Sequence, residues 1–391
     1  MAALTETLGA ALEEIRAADL YRSRRVVESF LEADTGIEVL VDGKRRVNFC
    51  GNDYLGLSHH PEVRAAFIAA AAQFGVGSGA SHLVTGHSRE HHALEEELAA
   101  FVGRPRALLL STGYMANLAA IATLAGRNAL VAEDRLNHAS LLDAAFLSGA
   151  TLKRYAHASP DALIHLLEEQ PFERAIVATD GVFSMDGDIA PLAAIAAACR
   201  ARGAWLVVDD AHGMGVVGAT GRGSLEATHL GIDDVPVLVG TLGKAFGTFG
   251  AFIAGSEELV EFLIQKARSY IYTTALPPAV AAATRAALRV ATADNWRRDR
   301  LRALIARFRA GAAELGLALT DSGTPIQAVI LGEPRLALAA SATLATQGLW
   351  VAAIRPPTVP PGTSRLRITL SAAHTDDHLE RLLGALAMLA T

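Results

Sequence analysis

Apolar positions along the chain fall into short β-branched runs that alternate with longer helical repeats. The first segment carries Leu8, Leu12 and Ile15 at i, i+4 and i+7, with Glu13, Glu14 and Arg16 between them, which predicts an amphipathic helix. Gly36, Asp42 and Gly43 punctuate a hairpin-like passage, EVLVDGKRRVNF. RALLLS then precedes a helical stretch from about Asn117, and NALVAEDR precedes HASLLDAAFLSG. RAIVATDGVF precedes APLAAIAAACRARG, followed by AWLVVDDAHG and VPVLVGTLGK. Strands alternating with helices in this way predict crossover units and a mostly parallel sheet with both faces covered. The continuous apolar runs LVV and VLVG fit buried central strands.

One passage reads at first like a membrane span: Ala107 to Gly126 is uncharged throughout. Ser111, Thr112, Gly113 and Asn117 in its first half make insertion costly, so strand, loop and helix are expected instead. Beyond Pro277-Pro278 a long helix carries Leu301, Leu304, Ile305 and Phe308 on one stripe. Arg297, Arg298, Arg300, Arg302, Arg307 and Arg309 are interleaved and read as a solvated face. TPIQAVILG, LWVAAI and SRLRITL read as strands, and HLERLLGALAMLA as a closing helix. The expected division is an N-terminal helix and hairpin over 1–45, a large domain over 46–285 and a smaller α+β domain over 286–391.

Composition narrows the class. Of 391 residues, 51% are hydrophobic and 19% charged, enough apolar matter for large cores and too much for a disordered chain. The net charge of −6 argues against nucleic acid as a partner. Two cysteines, Cys50 and Cys199, form neither a disulfide framework nor a zinc set, and the N-terminal stretch lacks the apolar core of a secretory signal. A cytoplasmic location, away from membranes, is expected.

Two patterns are decoys. Gly213-Met-Gly215-Val-Val-Gly218 matches a dinucleotide fingerprint, yet it runs on into Ala-Thr-Gly-Arg-Gly-Ser with no apolar period, where the fingerprint must open a helix. His87 and His91, four apart, could face one metal; no glutamate follows the first and no third ligand is evident, so polar residues at a helix start are expected and no metal is assigned. His59 and His60, before Pro61, read as a loop leading into a helix.

Four other segments carry chemistry. Asp209-Asp-Ala-His212 ends a buried strand, and Thr241-Leu-Gly-Lys244 ends the next. Ser111-Thr-Gly113-Tyr114-Met-Ala-Asn117 and Asn137-His138-Ala-Ser each follow a strand. In a doubly wound sheet these positions converge at the carboxyl ends of strands, where such folds bind ligands. A lysine among glycines and apolar residues suits Schiff-base chemistry, and a strand-end aspartate can keep a pyridine nitrogen protonated. A helix start offers N–H groups to phosphate, and a histidine can stack on a ring. The set suits pyridoxal 5'-phosphate.

These residues, with NFCGNDYLGLSHHP, GVGSGASHLVTGHS, DGVFSMDGDIAPL, VVDDAHGMGVVGATGRG, GTLGKAFG, YIYTTALPP and AIRPPTVPPGTSRLRITLSAAH, resemble the α-oxoamine synthase family of fold-type-I pyridoxal-phosphate enzymes. The resemblance implies an aspartate-aminotransferase-like α/β fold and decarboxylative condensation of an amino acid with an acyl thioester. AIRPPTVP and RAADLYR favour L-alanine with a pimeloyl thioester, on coenzyme A or acyl carrier protein, over the glycine-using relatives. It implies that Lys244 bonds the cofactor and shuttles the α-proton, that Asp209 pairs with the ring nitrogen, and that His138 stacks over the ring. His212 and Ser184 would bond the ring hydroxyl, with Gly113, Tyr114 and Thr241 on the phosphate. Thr273 or Thr274 would reach the phosphate of a partner subunit in a homodimer. Arg355 would clamp the amino-acid carboxylate beside Thr358, and Arg22 would meet the far carboxylate of the acyl chain. Tyr114 stands where Phe is common in the family, and Met214 where Thr is; neither changes a charge.

Overall fold

The computed structural model describes residues 2–169 and 172–389. These form two compact units. The larger holds Asn52–Ser184 and Asp188–Asp299; the smaller holds the residues up to Gly51, Met185–Gly187 and those from Arg300 onward.

The larger unit is built on a seven-stranded sheet. Its strands run in the order Arg106–Leu110, Ala251–Gly255, Val237–Thr241, Trp205–Asp209, Arg174–Asp180, Ala129–Asp134 and Thr151–Tyr155. Only Ala251–Gly255 is antiparallel to its neighbours, pairing Ala251 with both Leu110 and Thr241. The other neighbouring pairs are parallel, as the crossover pattern requires. Leu108, Ile121, Val131, Ile176, Val207 and Ile253 are at most 1% exposed. Each such side chain stabilises the unit by ~1.5–3 kcal/mol relative to exposure. The uncharged run resolves as expected into the strand Arg106–Leu110 and the helix Gly113–Leu124. Among the described residues no helix is long and apolar enough to cross a membrane.

The smaller unit begins with the helix Ala2–Ala17. Its hairpin joins Glu38–Val41 to Lys44–Asn48 through Asp42 (φ 50°) and Gly43 (φ 68°), the left-handed pair that a two-residue turn between twisted strands needs. The hairpin does not stand apart as a 1–45 segment. Leu349–Trp350 adds to it in parallel, pairing Leu349 with Val47, and Thr369 N–H donates to Phe49 O at 2.8 Å. An antiparallel sheet of Ile326–Gly332, Ser364–Thr369 and Ala352–Ile354 completes the α+β character. Residue 285 is not a boundary either: it lies inside the helix Pro278–Ala293, which packs on Pro61–Phe74 and Arg89–Val102 of the larger unit.

Four arginines of the helix Asn295–Glu314 correct the solvated-face expectation, while Arg302 and Arg307 are exposed as it requires. Arg298 is 2% exposed and donates to Ala291 O at 2.6 Å, while Arg297 donates to Leu55 O at 2.9 Å. Arg300 reaches His374 O at 3.0 Å, and Arg309 reaches Ser322 O at 2.8 Å. Guanidinium forks here satisfy carbonyls that would otherwise be buried without partners.

One ion-pair cluster sets a pH dependence. His157 sits between Asp134 (Nδ1–Oδ1 2.9 Å) and Asp188 (Nε2–Oδ2 3.0 Å). Burial works against the charged imidazole, but the two carboxylates outweigh it and raise its pKa to about 10. A raised folded-state pKa gives stability that is full below the unfolded value of ~6.5 and lost as pH rises through about 10. His157→Ala is therefore expected to melt below wild type at pH 6–7, with the gap closing toward pH 10. A gap independent of pH would mean the ring acts by packing on Phe183 alone.

Candidate active site

The strand ends of the larger unit bring four of the sequence segments together. The Trp205–Asp209 strand ends at Asp209, 6% exposed, whose Oδ2 accepts from Asn117 Nδ2 at 2.6 Å and whose Oδ1 accepts from Ala211 N–H at 3.0 Å. Asn117 is presented by the first turns of Gly113–Leu124 and also donates to Ser140 Oγ at 2.8 Å; its own Oδ1 is buried without a hydrogen-bond partner. Next along the sheet, Asp180 accepts His138 N–H at 2.9 Å. Burial and then the neighbouring Asp209 charge push its pKa well above the carboxylate range.

His138 caps the helix Ala139–Ser148. Its Nδ1 accepts from Ser140 N–H at 3.2 Å and lies 2.7 Å from Ser140 Oγ, an arrangement that fixes the ring plane. Desolvation lowers its pKa, partly opposed by Asp209, so the ring is neutral near pH 7. Lys244 follows the strand Val237–Thr241 and is half-buried between Leu242 (0% exposed) and Ala245 (1%). A turn holds its backbone, with Gly247 N–H on Lys244 O at 2.8 Å. Its charge acts on His138, Asp180 and Asp210. Thr241 Oγ1 donates to Gly250 O at 3.1 Å.

Gly113 and Tyr114 open their helix. Thr112 caps it by accepting Met115 N–H at 3.1 Å, which leaves the N–H groups of Gly113 and Tyr114 ahead of the helical ladder. A Cβ added to Gly113 would meet nothing within 4 Å, so the space before this turn is open. The Tyr114 hydroxyl is tied to Asp143. Thr273 is half-buried and Thr274 exposed, with Thr274 O 3.5 Å from Ser111 Oγ.

The fold adds groups that sequence reasoning did not assign. Tyr54, fully buried, places Oη 2.7 Å from His212 Nδ1 and donates to Asn52 Oδ1 at 3.2 Å, so it orients the imidazole. Asp210 is fully buried, its pKa pushed up to about 7 by desolvation, and accepts Ser224 N–H at 2.6 Å. Gly181, Gly213 and Gly223 crowd it so closely that a Cβ on any of them would collide with its carboxylate. Close approach to Asp210 accounts for glycines in this loop, and no helix starts at Gly213. The dinucleotide fingerprint is a decoy, as expected.

In the smaller unit, Arg22, Arg355 and Thr358 line one cavity of about 290 Å³ with Leu20, Ser23 and Ile354. Arg22 donates to Thr358 Oγ1 at 3.3 Å, and Arg355 to the carbonyls of Asp19 and Tyr21. Burial and then the Arg22 charge lower the Arg355 pKa. Arg25, a neighbour in the same basic run, is engaged by Asp42 at 2.7 Å.

The strand-end set fits pyridoxal phosphate. Asn117 Nδ2 and Ala211 N–H, both neutral donors, orient the Asp209 carboxylate as an acceptor for a pyridinium N–H, and the open helix start offers donors for a phosphate. Comparison with known proteins agrees. Residues 44–386 match the model of the class I and II aminotransferases. The 8-amino-7-oxononanoate synthase of Methylococcus capsulatus is 62% identical over 377 residues, 96% of each chain, and that of Pseudomonas putida KT2440 is 58% identical over 380 residues, 97% of this chain and 96% of its own. The chain belongs to the 8-amino-7-oxononanoate synthases. Its fold is that of the fold-type-I pyridoxal-phosphate enzymes. Serine palmitoyltransferase of Sphingomonas wittichii superposes with a TM-score of 0.92 at 34% identity, over 98% of this chain and 96% of its own. The Francisella tularensis 8-amino-7-oxononanoate synthase gives 0.77 at 32% identity, over 88% of this chain and 97% of its own. As an 8-amino-7-oxononanoate synthase, the chain is a pyridoxal-phosphate-dependent acyltransferase.

Proposed function

We propose that the chain condenses L-alanine with a pimeloyl thioester, carried by coenzyme A or acyl carrier protein, to give 8-amino-7-oxononanoate, carbon dioxide and the free thiol carrier for biotin synthesis. The observation that carries the reading is the convergence of Lys244, Asp209 and His138 at neighbouring strand ends, in a chain so similar to those relatives. When bound, pyridoxal phosphate supplies an electron sink for negative charge at the amino-acid α-carbon. Lys244 Nζ bonds the cofactor at rest, takes the α-proton from alanine and returns it to the same carbon after carbon dioxide leaves. Asp209 holds a proton at the ring nitrogen. His138 lies on the ring face, while His212, oriented by Tyr54, and Ser184 bond the ring hydroxyl. Gly113 and Tyr114 N–H with the Thr241 hydroxyl hold the phosphate. Arg355 and Thr358 take the alanine carboxylate. A homodimer in which Thr273 or Thr274 reaches the partner's phosphate completes the site. Mass spectrometry of the product from pimeloyl-CoA with alanine, against glycine, tests the reading; a glycine-derived product of equal yield replaces it with the glycine-using ligase.

Arg22 is assigned to the far carboxylate of the pimeloyl group. Two guanidinium groups on one small cavity support an anionic ligand there, and a planar guanidinium grips a carboxylate through two hydrogen bonds. Such a contact contributes ~1.5–3 kcal/mol, roughly ten- to a hundredfold in discrimination. Arg22→Leu is expected to raise KM for the pimeloyl donor, leave that for alanine nearly unchanged, and narrow the preference for pimeloyl over an uncharged acyl thioester of equal length. If the kcat/KM ratio of the two donors does not move, the anchor lies elsewhere, with Arg24 next, since Arg25 is held by Asp42.

A further inference from the structure

A second constellation in the larger unit stands apart from the cofactor residues. His82–Gly86 forms a single π-helical turn, and the helix Arg89–Val102 follows it. Between them they assemble His82, His87, His91, His92 and Glu95. Two overlapping trios bring one ligand atom per residue within 4.8 Å of one another: His82, His87 and His91, and His87, His92 and Glu95.

Hydrogen bonding separates the two. His91 Nδ1 accepts Ser88 N–H at 2.9 Å and its Nε2 donates to Leu276 O at 2.7 Å, so no lone pair remains for an ion. His91 closes a capping box with the N-cap Ser88, a polar role at the helix start. The second trio keeps its ligand atoms available. His87 Nε2 lies 3.9 Å from Glu95 Oε2, while Glu95 Oε1 is occupied by Leu109 N–H at 2.9 Å. The His92 side chain is 66% exposed, pairs with Glu96 at 3.5 Å and sets its ring edge-on to His87 at 5.9 Å. His87 Nδ1 faces His82 Nδ1 at 3.0 Å, and His82 is itself stacked on Tyr270 at 5.0 Å. With His87 Nδ1 donating to His82 Nδ1, His87 Nε2 keeps its lone pair, and the Nδ1 contact is the outer hydrogen bond that metal-bound imidazoles commonly make. The trio opens onto a cavity of about 530 Å³, which Glu96 and Glu257 also line; the one guanidinium there, Arg106, is paired with Glu261 at 3.3 Å.

We propose that His87, His92 and Glu95 form a binding site for a zinc-class divalent cation, with His82 orienting His87 and water completing the coordination from the cavity. Two imidazoles and a carboxylate suit Zn²⁺ or Co²⁺ and not Mg²⁺ or Ca²⁺, which need oxygen ligands. Tetrahedral bonds of ~2.1 Å place ligand atoms about 3.4 Å apart, a short rotamer adjustment from the 3.9 Å between His87 and Glu95.

The test uses the pyridoxal-phosphate-loaded protein after chelator dialysis and tag removal. Zn²⁺ is titrated by calorimetry, and Co²⁺ is followed by its tetrahedral d–d absorption. One ion per chain is expected. His92→Ala and Glu95→Gln should each weaken it at least about tenfold while leaving metal-free turnover unchanged, since His92 is exposed and Gln keeps the Leu109 contact. A wild-type protein that takes up no stoichiometric ion, or variants that bind as wild type does, overturns the proposal. Neither result bears on Lys244 or Asp209.

Discussion

Lys244→Ala is expected to lower kcat by about 10³-fold or more, because one amine serves both as the bond to the cofactor and as the base for the α-proton. His138, a titratable ring its charge acts on, is held by Ser140 and has its pKa lowered by burial, so it is not a cation that could replace the amine. The variant should fold, since the turn that carries Lys244 is held by backbone hydrogen bonds. Borohydride should fix the cofactor to the wild-type chain, seen as a mass increase on the intact protein, and leave the variant unlabelled. Wild-type turnover, or a labelled variant, removes Lys244 from both roles.

Asp209→Asn should keep the cofactor and lose the proton at its ring nitrogen. The substitution is nearly isosteric, and the unpartnered Oδ1 of Asn117 can accept from the new amide after a flip of the Asn117 side chain, so local order is preserved. A charge-assisted hydrogen bond worth ~3 kcal/mol corresponds to about a hundredfold in rate. Exchange of the alanine α-proton in deuterated water should therefore slow by about that factor or more, while equilibrium dialysis shows the cofactor retained. Exchange at the wild-type rate would exclude Asp209 as the ring-nitrogen partner.

Local pattern made the main sheet legible in the sequence, because a buried parallel strand must be apolar throughout and each crossover must fit a helix. The Asp42-Gly43 turn was legible for a similar reason: few residue pairs adopt two left-handed conformations in succession. Strand ends then placed Lys244, Asp209, His138 and the Gly113 helix start in one corner without any contact being known. What stayed hidden depends on long-range pairing. Tyr54 meets His212 across 158 positions and Asn117 meets Asp209 across 92, and no periodicity reports such partners. The arginines after Asp294 misled because charge at helical spacing looks the same whether it meets water or buried carbonyls. The N-terminal hairpin looked separate because its added strand lies some three hundred residues away, at Leu349–Trp350.

The glycine collar around Asp210 has a consequence for descent. Any side chain at Gly181, Gly213 or Gly223 collides with the buried carboxylate, and trimming Asp210 first strips the Ser224 N–H of its acceptor and opens a void. Lengthening one side or trimming the other each costs packing, so the carboxylate and its three glycines constrain one another as a set. Divergence is channelled instead to open positions such as Gly126 and Gly323, where an added carbon touches nothing.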